Sequence, residues 1–166
     1  MAAELYLIRH GIAAERGDAW PDDNKRPLTD DGVKSLRKIA KGLVEIGVGF
    51  DVILTSPLVR AKQTAELIAS ELKPDPPITV TDALSPGASY SSVLDELGKH
   101  ARRRRIALVG HEPGMGALAA RLMGSRHALE FKKGAIALID VAALPPTGAG
   151  SLTWFLTPKL LRKLGK

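Results

Sequence analysis

Two histidines and two arginines in this chain stand where they could act together. His10 follows the run Leu5 to Arg9, and His111 follows Arg105 to Gly110. A neutral imidazole is a nucleophile and a proton carrier near neutral pH. Arg9 directly precedes His10, and Arg60 comes three residues after Ser56-Pro57. A guanidinium binds oxyanions through a rigid fork of N–H donors, so two such groups beside two imidazoles make a cationic pocket suited to an anion such as phosphate. A lone histidine is more often a structural residue satisfying a local hydrogen bond, and His100 and His127 carry that reading. The matched placement of His10 and His111 argues against it for that pair.

Composition narrows the chemistry. The chain has no cysteine, which removes disulfides, thiolate zinc sites and every cysteine nucleophile. No Gly-x-x-x-x-Gly-Lys-Ser/Thr loop occurs. The pairs Asp22-Asp23 and Asp30-Asp31 read as loop and helix-start residues without metal-ligand spacing, so no metal and no cofactor are expected. The formal net charge is +6. Much of the excess lies in Arg102 to Arg105 and in Lys159, Arg162, Lys163 and Lys166, runs that read as solvated edges or helix ends. With 4% aromatic residues, stacking platforms for single-stranded nucleic acid are scarce, and no nucleic-acid partner is expected. No apolar run approaches the roughly 20 residues of a membrane span, and the N-terminal residues lack the pattern of a signal peptide. A soluble, cytoplasmic protein is the expectation, with residues 1–166 forming a single domain.

Positioning these side chains requires strands that end at them. Glu4 to His10 reads as a short buried strand. A polar loop, Ala14 to Arg26, follows. Thr29 is placed to cap a helix whose apolar stripe is Val33, Leu36, Ala40 and Leu43, with Gly47 ending it. Asp51 to Thr55 reads as a second strand, and Ser56-Pro57 as the opening of a helix with Leu58, Ala61, Ala65, Ile68 and Leu72 on one face. Ile78 to Val80 is a short strand, and a helix is expected around Ser91 to His100. Arg105 to Gly110 is the clearest strand, followed by a glycine-rich turn and a helix over Ala117 to Met123. Gly134 to Val141 and Ser151 to Leu156 are close enough to pair as a hairpin. The pattern predicts an α/β sandwich of three layers, with a mostly parallel central sheet, one antiparallel strand and helices on both faces. In such sheets ligands bind beyond the carboxyl ends of the strands, where His10, Ser56 and His111 would converge.

Four segments together resemble the histidine phosphatase superfamily, and within it the small SixA-like phosphohistidine phosphatases. Leu7-Ile8-Arg9-His10-Gly11 is similar to the Arg-His-Gly signature. Thr55 to Ala65 resembles the Ser-Pro-x-x-Arg-Ala-x-Gln-Thr segment, and Leu108-Val109-Gly110-His111 resembles the second-histidine segment. Arg26-Pro27-Leu28-Thr29 is similar to the Arg-Pro-Leu-Thr of the SixA-like group. The resemblance covers nearly the whole chain and implies a phosphoglycerate-mutase-like fold.

What it further implies is a metal-independent, two-step phosphoryl transfer. His10 would attack phosphorus and form a covalent phosphohistidine that water then hydrolyses. Arg9, Arg60 and His111 would clamp the phosphoryl oxygens, with Gly11 and Arg26 also at the substrate. Many superfamily members protonate the leaving group with a carboxylic acid that the SixA-like group lacks at the usual place. Glu112 and Asp82 are the candidates here, and an exposed loop carboxylate is the other reading of Glu112. Without an acid, the favoured substrate has a good leaving group, as the phosphohistidine of a phosphotransfer domain does. A phosphorylated protein handled by a monomer or weak homodimer, in signal transduction, is the implied setting. A small-molecule phosphomonoesterase using the same nucleophile is the alternative, and a non-catalytic anion-binding module stands behind both.

Overall fold

The structure, a computed structural model, describes residues 2–166. Six strands form one sheet: β1 (Ala3–Arg9), β2 (Val52–Thr55), β3 (Ile78–Val80), β4 (Arg105–Gly110), β5 (Ile136–Val141) and β6 (Ser151–Leu156), ordered β3-β2-β4-β1-β5-β6. The pairings β1 with β4, β2 with β4 and β2 with β3 are parallel, while β5 runs antiparallel to both β1 and β6. The expected hairpin and the single antiparallel strand are both present.

Side chains alternate across this sheet with the period of two that a strand imposes. Leu5, Leu7, Leu54, Ile106 and Leu108 face one side, packed with residues of α3 (Tyr90–Gly98) and α4 (Gly114–Met123). Tyr6, Ile8, Ile53, Ala107 and Val109 face the other, under α1 (Asp30–Glu45), α2 (Val59–Glu71) and α5 (Pro158–Leu164). That explains why the central strands read as unbroken apolar runs: both faces are covered.

Local signals set most boundaries. Thr29 caps α1 as expected, its hydroxyl oxygen accepting from the Gly32 N–H. Helix α2 opens later than the Ser56-Pro57 signal suggests. Pro57 and Leu58 form a bend, Leu58 is the N-cap without a side-chain hydrogen bond, and the helix starts at Val59. Helix α5 goes beyond the sequence pattern, in which its basic side chains read only as a solvated edge or helix end. It is held by Leu161, fully buried against α1, and by Gly42, where any Cβ would collide with the Leu161 carbonyl oxygen.

Sheet order puts the functional end in one place. Strands β1 and β4 are neighbours, with Arg9 opposite Gly110. The chain leaves β1 toward α1 on one face, and leaves β4 toward α4 on the other. A crevice therefore opens between the two strand ends, the usual ligand position in such sheets. The His10 N–H donates to the Gly110 carbonyl at 3.0 Å, and the Ser56 N–H to the Val109 carbonyl at 3.0 Å. The three strand ends are thus tied together at the backbone. Among the described residues, no helix is long and apolar enough to cross a membrane.

Candidate active site

His10 and His111 lie with ring centroids 5.1 Å apart, 5% and 6% exposed. They line a cavity of about 400 Å³ whose wall also includes Arg9, Arg26, Arg60 and Lys133. Nδ1 of His10 is 2.7 Å from the carbonyl oxygen of Gly11, so Nδ1 carries the proton and donates it. Nε2 is left with its lone pair and no hydrogen bond from any described residue. Burial pushes the His10 pKa down to about 3. The Gly11 carbonyl works the other way, and the nearby His111, Arg60 and Arg9 add to the lowering. His10 is therefore neutral at physiological pH, the form that can attack an electrophile.

His111 is held from below. Its Nε2 is 2.7 Å from the Ser56 hydroxyl oxygen, which accepts from the Leu58 N–H at 3.2 Å. Burial lowers its pKa to about 4. The guanidinium groups of Arg60, Arg9 and Arg26 contribute in the same sense, and Asp23 opposes them.

Each arginine is tethered through its fork, Arg9 by one nitrogen and Arg60 and Arg26 by two. Arg9 Nη1 donates to the Phe131 carbonyl at 2.8 Å. Arg60 Nη1 donates to the backbone carbonyl of Asp23 at 2.8 Å, and Nη2 to its carboxylate at 3.0 Å. Arg26 Nε donates to the other carboxylate oxygen of Asp23 at 3.0 Å, and Nη1 to the Ala14 carbonyl at 2.6 Å. Burial lowers the pKa of both Arg9 and Arg60, yet guanidinium groups stay charged in proteins. Three buried nitrogens have no partner among the described residues: Arg9 Nε, Arg60 Nε and His111 Nδ1. All three belong to residues lining this one cavity. Orphaned buried polar atoms call for an explanation, and a tetrahedral oxyanion bound beside His10 supplies one.

The comparisons with known proteins agree with this geometry. Residues 5–85 match the family described as the histidine phosphatase superfamily, branch 1. An uncharacterised protein of Picosynechococcus is 41% identical over 138 residues, covering 80% of this chain and 82% of its own length. The chain belongs to the histidine phosphatase superfamily. Phosphohistidine phosphatase SixA of Escherichia coli is 29% identical over 161 residues, 93% of this chain and 94% of that protein. The solved structure of the protein histidine phosphatase SixA with tungstate superposes with a TM-score of 0.84 at 28% identity, covering 95% of this chain and 99% of that one. The chain is a hydrolytic phosphatase of this superfamily, with its phosphoglycerate-mutase-like fold.

The superfamily segments are now legible as parts. Thr64 accepts from the Gly11 N–H at 3.1 Å and donates to the Arg60 carbonyl at 2.8 Å, clasping the first-strand turn to α2. Gln63 accepts from the Leu28 N–H at 2.8 Å, fastening the Arg26 to Thr29 segment to the same helix. Gly11 was expected at the substrate, but its N–H is engaged by Thr64, and its carbonyl orients His10. At Gly11 a Cβ would meet Leu36 Cδ1 at 2.6 Å.

Of the two acids expected from sequence, the fold brings one to the cavity. Asp82 sits exposed in a short 3-10 turn, outside the cavity lining. Glu112 lines the cavity, but its two carboxylate oxygens accept from the N–H groups of Gly116 at 2.6 Å and Phe131 at 3.2 Å. It braces the Phe131 carbonyl that holds Arg9. Sequence reasoning missed Asp23 and Glu15 at the rim, which Lys133 also lines. Asp23 anchors Arg60 and Arg26 and lies 3.4 Å from Arg16. Burial works to raise its carboxyl pKa, and the hydrogen bond from Arg26 with the charges of Arg60 and Arg26 overcomes this, leaving it below the ordinary value. Its place three residues before Arg26 was the signal available.

Proposed function

We propose that the protein dephosphorylates a phosphorylated histidine on another protein, such as a phosphotransfer domain, through a covalent phosphohistidine on His10. The carrying observation is His10 itself: Nδ1 pinned to Gly11, Nε2 unengaged, and the ring kept neutral inside a cationic cavity. In the first step Nε2 bonds to phosphorus as the P–N bond of the substrate, whose other ring nitrogen carries a proton, breaks and the electron pair returns to the ring, which leaves as neutral imidazole. In the second, water attacks, the P–N bond to His10 breaks, and the surplus proton passes to solvent. Arg9, Arg26, Arg60 and His111 bind the phosphoryl oxygens and offset the charge spread over them in the transition state. Removing one such donor typically costs about 100- to 1000-fold in rate.

The choice of a phosphohistidine substrate rests on the leaving group and on kinship. Glu112 is taken up by backbone donors, Asp23 by arginines, and Asp82 is elsewhere. Glu15 lies exposed at the rim. A site that holds no acid against the leaving group favours one that departs without a proton donor, as a histidine nitrogen does. SixA of Escherichia coli, similar over almost its whole length, is a phosphohistidine phosphatase. Residues 1–166 would then act as one catalytic domain, as a monomer or weak homodimer in the cytoplasm.

The test is phosphate release from a histidine-phosphorylated phosphotransfer domain in excess EDTA, comparing wild type with His10→Ala. Release by the wild type alone, with label trapped on His10 after an acid-free quench, is the expected result. Release that survives His10→Ala, or that stops with EDTA, defeats the mechanism. Activity confined to small phosphoesters defeats the substrate assignment.

A further inference from the structure

Past His111 the phosphate cavity adjoins a second cavity of about 340 Å³, which shares Pro86, His111 and Glu112 with the first. Its character is different. Leu84, Val93, Met115 and Leu118 form an inner wall continuous with the core cluster between α3, α4 and the sheet. At the outer end the Arg121 guanidinium stacks over the Tyr90 ring, 4.3 Å from its centroid. Among the described residues no carboxylate pairs with Arg121.

The sequence explains why this space stays open. The segment from Ser85 to Ser89 contributes only small residues and a proline, and Gly87 turns the chain with φ of 81°. On the facing helix the exposed positions along the cavity are Gly114, Ala117 and, at the outer end, Arg121. Neither side supplies a large side chain to cover the apolar wall. The other rim of the phosphate cavity carries Glu15, Arg16, Asp23 and Lys133 and suits polar groups. The volume is at the lower end of the roughly 300–1,000 Å³ range of binding pockets.

We infer that the second cavity recognises the protein part of the substrate: it takes an apolar side chain carried beside the phosphohistidine, while a carboxylate of the same segment pairs with Arg121. This rests on the phosphohistidine-protein reading above. Continuity through His111 and Glu112 means that a phosphoryl group on His10 leaves its carrier at the mouth of the cavity. The cationic end and the net charge of +6 select an acidic segment, through charge complementarity that acts on encounter. A small phosphorylated molecule fills the first cavity and gains nothing from the second. Seating a large apolar side chain there accounts for roughly 10- to 100-fold in kcat/KM.

Two variants test this, each assayed on a histidine-phosphorylated phosphotransfer domain and on phosphoimidazole. Ala117→Phe fills the cavity from an exposed helix position, and Arg121→Glu reverses the charge at its end. For both, the ratio of kcat/KM on the protein to that on phosphoimidazole is expected to fall at least about 10-fold, and Arg121→Glu also flattens the salt dependence on the protein. An unaltered ratio in both variants overturns the inference while the substrate reading stands. If the wild type hydrolyses phosphoimidazole and not the phosphorylated domain, the substrate reading itself fails and takes this inference with it. Should Ala117→Phe not fold, Arg121→Glu decides alone.

Discussion

Keeping His10 and His111 neutral and buried makes the fold sensitive to acid, and the size of the effect follows from their surroundings. In the unfolded chain both histidines titrate near 6.5, while in the folded protein they titrate near 3 and 4. Between these values the unfolded state binds protons that the folded state refuses, so stability falls as pH drops below 6.5 and is unaffected above it. At pH 5 each histidine costs about 2 kcal/mol relative to pH 8, from 1.36 kcal/mol per pH unit over the roughly 1.5 units below the unfolded value. Together they remove about 4 kcal/mol from a total that for most domains is about 5–15 kcal/mol. His10→Asn deletes one of the two titrations. Urea unfolding of wild type and variant, followed by the fluorescence of Trp20 and Trp154 in phosphate-free buffer, isolates it as a difference of differences. The variant is expected to gain about 2 kcal/mol on the wild type in going from pH 8 to pH 5. A difference between the two proteins that is the same at both pH values would refute the claim that burial holds His10 neutral.

Asp23→Asn removes the charge that positions Arg60 and Arg26. It is expected to lower kcat about 10-fold or more by loosening the clamp, while inorganic phosphate inhibits as well as before or better, measured by steady-state inhibition. Glu112→Gln and Glu15→Gln are each expected to lower kcat on a phosphohistidine protein by less than about 10-fold, far below the roughly 100-fold or greater loss for Arg60→Ala; a loss from either acid variant that rivals Arg60→Ala would assign it the proton. Gly42→Ala would stabilise a free helix by about 1 kcal/mol. Here the clash with the Leu161 carbonyl reverses the sign, and a destabilisation of about 1–3 kcal/mol is expected in denaturant unfolding.

Sequence alone determined much of this protein because its informative signals are local. Short unbroken apolar runs mark β1, β2 and β4. Thr29 carries its own cap, and His10, Ser56 and His111 stand at strand ends that a parallel sheet must gather on one side. The resemblance of four short segments to the superfamily added the chemistry. What tertiary structure decided is everything that depends on which distant groups meet. Ser56-Pro57 looks like a helix start in sequence, but the helix opens at Val59 and the Ser56 hydroxyl meets His111, 55 residues away. Glu112 looks like an acid beside a histidine, but the N–H groups of Gly116 and Phe131 take its oxygens. Asp23 looks like a loop carboxylate until the fold sets it between Arg26 and Arg60. Helix α5 shows a basic surface in sequence, and it is Leu161 against α1 that makes it part of the body. A side chain's type and spacing set what it can donate or accept. Its partner, and so its charge state and its role, is set by long-range packing that no local pattern encodes.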